Sequence, residues 1–272
     1  MTNDTVLAVA IRAAHRAASV IVDAARDLKR RPSHAKDHGD IASQAETEAE
    51  NAIISTLRAA FPDHAIAGVE TREIVSKIGG AAGRSAAVHQ WIIEPIDGVA
   101  NFIHGYPCYA VSIALIHASE VTHAVVFDPL HDELFTAVKG KGAQHNGASI
   151  RTSTCVRLED ALVGTVFPSR SSAKMPAYLS VFNALVGQCG GIRRDGTCAL
   201  DLAYVAAGRL DGFWVTSLNA GDIAAGALIV NEAGGRVGDL AGGKDFLRSS
   251  EVIAAAPGIF GGLREAIAAA RS

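Results

Sequence analysis

The stretch Trp91–Phe102, WIIEPIDGVANF, combines an apolar run with two acidic residues and a glycine. Its first half is apolar and rich in β-branched residues, so it predicts a buried strand. Glu94 and Asp97 flank a Pro-Ile pair at the end of that strand, and Gly98 leads into a segment that predicts a helix. Carboxylates gathered at a strand end suit a divalent cation, while the amides of a helix N-terminus suit a phosphate. By itself the string is equally compatible with a turn that carries solvated acids.

The composition predicts a well-packed protein that does not rely on charge to find its partners. Hydrophobic residues make up 49% of the 272 residues and charged residues 19%, which is enough to bury a large core. The net charge of −3 gives no general attraction to nucleic acid or anionic membranes, so direct nucleic-acid binding is not expected. No charge-free apolar run of about twenty residues occurs, so neither a membrane span nor a signal peptide is expected.

The cysteines do not predict a metal site or a disulfide framework. Cys108, Cys155, Cys189 and Cys198 are scattered, with no C-x-x-C pair and no histidine at the spacing of a zinc ligand. This pattern is typical of a reducing compartment, and we expect a cytoplasmic protein.

The hydrophobic pattern divides the chain into an α+β half, residues 1–150, and an α/β half, residues 151–272. The first half reads as helices over 6–28 and 43–61, a Gly/Ala/Ser-rich loop over 73–89, and strands over 91–96, 109–116, 121–127 and 133–138. The second half reads as strands over 161–167, 209–215, 236–240 and 252–256, with helices over 176–188, 198–208, 222–232 and 259–270. Ser43 and Glu46 have the spacing of a capping box at the start of the second helix. No low-complexity linker separates the halves, so we expect one globular unit.

Several motifs, in order along the chain, resemble those of one family. WIIEPIDGVANF is similar to the inositol monophosphatase signature W-[IV]-[IV]-D-P-[IL]-D-G-T-x-N-F. FPDHAIAGVE resembles the family segment F-P-x-H-x-I-x-G-E-E, and VVFDPLHDELFTAVKGKGAQHNG follows its V-V-Y-D-P run. GTCALDLAYVAAGRLDGFW and GDIAAGALIVNEAGG resemble the second signature region, which normally carries W-D-x-A-A-G. The resemblance covers nearly the whole chain and implies the layered αβαβα sandwich of this family.

The resemblance implies a Mg²⁺-dependent reaction on inositol 1-phosphate or a similar small phosphomonoester. Mg²⁺ held by carboxylates would activate a water and neutralise the leaving oxygen. The implied metal ligands are Glu94, the carbonyl of Ile96, Asp97 and Asp222, and the implied catalytic residues are Asp97 and Glu46. The implied phosphate and substrate contacts are Gly98, Val99, Gly196, Thr197, Cys198 and Asp222. Because backbone donors survive side-chain changes, we expect binding of a phosphate ester or of inorganic phosphate to persist.

Other positions depart from the family pattern. Val69 stands where a glutamate ligates metal, with Glu70 as the second glutamate of the pair, and Val99 replaces the threonine that helps to activate water. Val215 replaces a glutamate that contacts inositol in some members, and Gly221 replaces the tryptophan before Asp222.

Two acids also differ in length from the family residues. Glu94 and Glu46 stand where the family has aspartates, and for Glu46 a purely structural capping role competes with a role at the metal. Loss of even one preorganised donor typically costs roughly 2.7 to 4 kcal/mol of transition-state stabilisation. We therefore predict weakened Mg²⁺ binding and weak or lost phosphatase activity.

A regulatory function is the alternative that the resemblance leaves open. The segments GTCALDLAYVAAGRLDGF and RRDG resemble most closely the bacterial extragenic-suppressor (SuhB-like) branch of the family. That branch is linked to ribosomal RNA transcription antitermination independently of catalysis. The alternative is thus a catalytically dead protein that acts through contacts with a transcription or ribosome-assembly protein. The family also implies a homodimer.

Overall fold

The protein is described by a computed structural model that covers residues 3–30, 35–68, 88–169 and 171–271. The helices of these residues are α1 Asn3–Arg30, α2 Ala35–Ala60, α3 Val99–His104, α4 Met175–Val186, α5 Cys198–Ala206, α6 Ala220–Glu232, α7 Phe246–Ser249 and α8 Pro257–Arg271. The first-half strands are β1 Ala65–Ala67, β2 His89–Asp97, β3 Ala110–His117, β4 Glu120–Asp128, β5 Glu133–Val138, β6 Ala143–His145 and β7 Ala148–Ser149. The second-half strands are β8 Leu162–Thr165, β9 Gly191–Arg193, β10 Gly212–Val215, β11 Arg236–Gly238 and β12 Val252–Ala255.

The first sheet contains seven strands in the order β1 to β7, antiparallel except for the parallel pair β1 and β2. Side chains of β2 alternate between its two faces, as the two-residue period of a strand requires. Trp91 and Ile93 pack in a core with α1 and α2, whereas Ile92 packs in a second core with α5 and α6. Both faces of this strand are therefore buried, which explains its nearly continuous apolar sequence.

The second sheet has the order β11-β12-β10-β8-β9. On one face, Phe213 and Ala254 share a core with α5, α6 and the first sheet. On the other face, Trp214 and Ile253 share a core with α4 and α8. The layers are thus α1/α2, first sheet, α5/α6, second sheet and α4/α8. This confirms the αβαβα sandwich and places α5 and α6 between two sheets.

The predicted capping box of Ser43 and Glu46 is wrong. Helix α2 begins at Ala35, so both residues lie in its interior, where the carbonyl of Ser43 accepts a hydrogen bond of 3.0 Å from the Thr47 hydroxyl. Ala42 and Ala45 on the same helix are buried against α1. This packing favours a longer helix than the cap signal indicated, because most helix stability in proteins comes from a buried apolar face.

Several other boundaries differ from the sequence prediction. The loop GGIRRDGT contains the short edge strand β9, α6 begins two residues early, and β10 is confined to Gly212–Val215. The strands β1, β6 and β7 and the helix α7 had no predicted counterpart. Most of the predicted loop over 73–89 lies outside the described residues. The division at residue 150 stays a prediction.

Within the described residues, the stretch Asn3–Leu28 of α1 is long and apolar enough by length and composition to cross a membrane. Its apolar stripe is occupied by packing, because Ala13, Ala17 and Ile21 are fully buried in the core formed with α2 and the first sheet. Helix α1 is therefore packed as a core helix.

Candidate active site

The candidate site begins where β2 ends and α3 starts. Gly98 joins the two elements with a φ of +102°, a left-handed conformation that favours glycine. A Cβ at this position would lie 2.9 Å from the Cys108 carbonyl oxygen. Any side chain here would therefore both strain the backbone and displace the neighbouring segment. The glycine thereby holds the carboxylate of Asp97 and the first amides of α3 in one turn.

Asp97 is a buried carboxylate bound to the N-terminus of α5. Its Oδ2 accepts a hydrogen bond of 2.7 Å from the Ala199 amide. Burial and the charge of Asp222 raise the pKa of Asp97 to about 8, although hydrogen bonds from Ala199, Thr197 and Cys198 oppose that rise. The turn that the sequence assigned to substrate is thus engaged at least partly with Asp97.

Asp222 is the third residue of α6 and is 9% exposed. Its Oδ2 accepts a hydrogen bond of 2.9 Å from the Asn219 amide, and the two residues form a capping box. The family carboxylate therefore also caps its own helix. Because Asp97 and Asp222 are buried and repel each other, a divalent cation between them would stabilise both in the charged form.

Glu94 and Gly221, which both differ from the family pattern, lie against each other. A Cβ on Gly221 would lie 3.2 Å from Oε2 of Glu94 and 3.4 Å from its Cβ. Ser112, which faces Glu94 across β2 and β3, donates a hydrogen bond of 3.0 Å to the Gly221 carbonyl. The half-buried Glu94 side chain therefore lies against the first turn of α6, where a larger residue at 221 would meet it.

Asn101 joins two parts of the site, and the sequence reasoning assigned it no role. Its Nδ2 donates hydrogen bonds of 2.7 Å to the carbonyls of both Cys108 and Asp195. Gly196, at a φ of +91°, packs directly on this amide, because a Cβ there would lie 2.9 Å from Nδ2. Asn101 therefore fixes α3 against the turn before α5. The signal in the sequence was the asparagine of the family signature, W-[IV]-[IV]-D-P-[IL]-D-G-T-x-N-F, which Asn101 matches.

The other predicted residues are not all at the surface of the site. Ile96, Thr197 and Cys198 are buried, while Val99 is half-buried at the start of α3. Val215 is fully buried in the core between the two sheets.

The remaining predicted positions lie on α2 or outside the described residues. Glu46 is half-buried on α2, and Val69 and Glu70 lie outside the described residues. Across the parts of the chain that the structure covers, no group of three acidic, histidine or cysteine side chains is arranged to hold a metal ion. Asp97 and Asp222 therefore form the core of the candidate site.

The fold and the carboxylate pair agree with the comparison to protein families. The Inositol monophosphatase family matches residues 2–272 of the chain, and the chain belongs to that family. The resemblance that the signature motifs indicated is thus confirmed.

Relatives within the family are named as Nus factors. The chain is 44% identical over 250 residues to "Nus factor SuhB" of Pseudomonas aeruginosa, which covers 91% of this chain and 90% of the relative. It is 39% identical over 251 residues to "Nus factor SuhB" of Escherichia coli, covering 92% of this chain and 91% of that one. Similarity at this level, over almost the full length, supports the SuhB-like assignment.

Solved structures give the same fold. An extragenic suppressor protein suhB from Bartonella henselae superposes with a TM-score of 0.83 at 35% identity, covering 97% of this chain and 98% of that one. An inositol monophosphatase from Anabaena superposes with a TM-score of 0.84 at 30% identity, covering 98% of this chain and 97% of that one.

Proposed function

We propose that this protein binds Mg²⁺ and a small phosphomonoester such as inositol 1-phosphate, and that its hydrolysis of the ester is weak or lost. The observation that carries the proposal is the buried pair Asp97 and Asp222: burial, together with the charge of Asp222, raises the pKa of Asp97. Two buried acids side by side are costly unless a cation or a proton lies between them.

The residues present fit a Mg²⁺ ion, because its preferred ligands are oxygens. Asp97, Asp222 and the carbonyl of Ile96 would hold it. Glu94 would have to turn from its place beside Gly221 to join them, because no three acidic side chains of the described residues stand ready as a metal site. When bound, the ion supplies Lewis acidity and lowers the pKa of a bound water. The chain itself contributes the Val99 amide at the start of α3, which supports phosphate binding from the backbone.

We expect weak hydrolysis because the described residues supply no free hydroxyl group beside the Val99 amide. Val99 has no hydroxyl, so it cannot accept a proton from an attacking water or orient that water. The Thr197 hydroxyl is already used, because it accepts a hydrogen bond of 3.1 Å from the Leu200 amide as the cap of α5. Glu46 would have to serve as the remaining base, which is why a low rate is expected.

Metal binding and turnover can be tested separately. We expect Mn²⁺, used as a probe for Mg²⁺, to bind the wild-type protein in calorimetry and to bind Asp97→Asn at least tenfold more weakly. We expect little Mg²⁺-stimulated phosphate release from inositol 1-phosphate, and a rise of about tenfold or more in Val99→Thr. Val99→Ala is the matched control, since it changes the same side chain without adding a hydroxyl. Unchanged Mn²⁺ affinity in Asp97→Asn, or fast turnover by the wild-type protein, would contradict the proposal.

We propose a second function, as a cytoplasmic homodimer that contacts a transcription or ribosome-assembly protein in ribosomal RNA transcription antitermination. The supporting observation is the 44% identity to a relative named "Nus factor SuhB" over 91% of the chain. This function needs the fold but not the water chemistry. We expect affinity capture of the tagged protein from its own cells to recover the same transcription proteins with wild type and Asp97→Asn. Loss of these partners in the variant alone would tie the contact to the metal site.

A further inference from the structure

Three histidines meet at the end of β2 that lies opposite Asp97. His89 is the first residue of β2, and His117, the last residue of β3, is its direct partner across the strands. His64, just before β1, stacks on His89. Eight residues at about 3.3 Å each separate this cluster from the carboxylates by about 26 Å along the strand. Nothing in the proposed phosphatase chemistry uses it.

The two cross-strand imidazoles present nitrogens at a chelating distance. Nδ1 of His117 lies 2.8 Å from Nε2 of His89. The ring centroids are only 4.4 Å apart, with a tilt of 43°, so the rings meet side by side instead of end to end. For metal–nitrogen bonds of about 2.05 Å, this separation gives an angle of about 86° at the metal. An angle near 90° suits neighbouring ligands of a square-planar or octahedral ion and is narrow for a tetrahedral one.

The surrounding rings hold His89 in place. His64 stacks on it with a centroid distance of 4.5 Å and an angle of 5°, and Phe61 stacks on the other side of His64 at 4.8 Å. The Trp91 Nε1–H donates to Nδ1 of His64 at 3.1 Å, which fixes the proton of His64 on Nε2. Partial burial and the neighbouring His117 lower the pKa of His89, which favours the neutral form that ligates metals.

We propose that His89 and His117 form a two-imidazole chelate for Cu²⁺ or Ni²⁺ that bridges β2 and β3, with water completing the coordination. The hydrogen now shared between Nδ1 and Nε2 moves to the free nitrogen of its own ring, so both facing nitrogens offer lone pairs without a net release of protons. Mg²⁺ prefers oxygen ligands and is not expected to compete.

The test uses the full-length protein in millimolar Mg²⁺, which competes with Cu²⁺ for the carboxylate oxygens. We expect Cu²⁺ to bind with one-to-one stoichiometry in calorimetry, with two nitrogen donors visible by electron paramagnetic resonance. Ni²⁺ should bind at least as tightly as Zn²⁺, because of the narrow angle. His89→Asn and His117→Asn should each weaken Cu²⁺ binding about tenfold or more. Thermal melts without metal check that each variant is folded, and either variant alone suffices for the test.

His131→Asn is the matched control, because His131 lies in an exposed turn, where it pairs with Asp128 at 2.8 Å. This variant should bind Cu²⁺ like the wild type. Equal Cu²⁺ affinity in wild type, His89→Asn and His117→Asn would overturn the proposal, as would a resonance spectrum without nitrogen coupling. Loss of binding in His131→Asn alone would do the same.

Discussion

The N-termini of α5 and α6 both reach the candidate site, yet they are capped in different ways. At α5 the cap is Thr197, and the Ala199 amide donates to Asp97 from the first sheet. At α6 the cap is Asn219, and Asp222 turns back onto the amide of that same residue. The N-terminus of α5 is thus hydrogen-bonded to the first sheet, whereas the N-terminus of α6 is capped by the side chain of Asp222 in its own first turn.

This difference shows where the site can change without loss of the fold. The hydrogen bond between α5 and Asp97 requires the Asp97 carboxylate and the start of α5 to keep their positions, and the family motif is intact there. In the first turn of α6, the cap does not depend on the side chain of the second residue. Gly221 occupies that position in place of the family tryptophan. The space is used by the Glu94 side chain.

The largest expected effect comes from separating the two helices. A Cβ on Gly226 of α6 would lie 2.5 Å from the Leu202 Cβ of α5, so Gly226→Ala forces the backbones apart. We expect a loss of about 2–3 kcal/mol in the free energy of unfolding, measured in urea. Gly261→Ala on α8 is the matched control, because nothing lies within 4 Å of its added Cβ. That control should be neutral or stabilising by up to about 1 kcal/mol, and equal losses in both variants would refute the close-packing explanation.

A smaller effect is expected from Asp201, a fully buried acid on α5. Among the residues the structure describes, neither of its carboxyl oxygens has a hydrogen-bond partner, and burial together with the charge of Asp195 raises its pKa well above the usual range. A raised folded-state pKa means that the stabilisation is present below the unfolded value of about 4 and is lost as the pH rises.

Asp201→Asn does not titrate at this position, so its stability relative to wild type should increase with pH. We expect an advantage of about 1–2 kcal/mol at pH 8, and a shrinking difference towards pH 4. The measurement is a set of urea unfolding curves across this range. A difference independent of pH would contradict the assignment.

The two caps can be compared directly. Thr197→Ala and Asn219→Ala should each destabilise the protein by about 1 kcal/mol. We expect the larger loss for Thr197→Ala, because the Thr197 hydroxyl also contributes to holding Asp97. Thermal unfolding without metal measures both. A larger loss for Asn219→Ala would reverse the comparison between the two helices.

The smallest expected effect is a coupling energy between Glu94 and Gly221. Gly221→Ala should be destabilising while Glu94 is present, because the new Cβ must displace that side chain by a few tenths of an ångström. The shorter acid in Glu94→Asp should relieve the contact, so the double variant should recover about 0.5–1 kcal/mol relative to additivity. Additive losses in a double-mutant cycle would show that the two substitutions are independent.

The sequence predicted the architecture well because its signals are repeated in many residues. Buried strands such as β2 and the apolar stripes of the helices each contain several consistent positions, and the ordered motifs identify the family. The pattern at Ser43 and Glu46 failed because serine and glutamate three residues apart also occur inside helices. Only the packing of the flanking alanines against α1 distinguishes the two cases.

The relations within the site could not be predicted in the same way. The Glu94–Gly221 contact and the two hydrogen bonds of Asn101 join segments that are far apart in the chain, and a single sequence contains no signal for such pairs. Individual substitutions were visible, but the contact that connects two of them was not.

The burial of α6 on every side has a consequence for motion at the site. Ile223, Ala224, Ala225, Ile229 and Val230 are all fully buried between the two sheets. The amide hydrogens of this helix should therefore exchange with solvent only when the whole domain unfolds. We therefore expect Asp222 to lie on one of the slowest-exchanging segments of the protein, and fast local opening that admits a ligand to occur elsewhere.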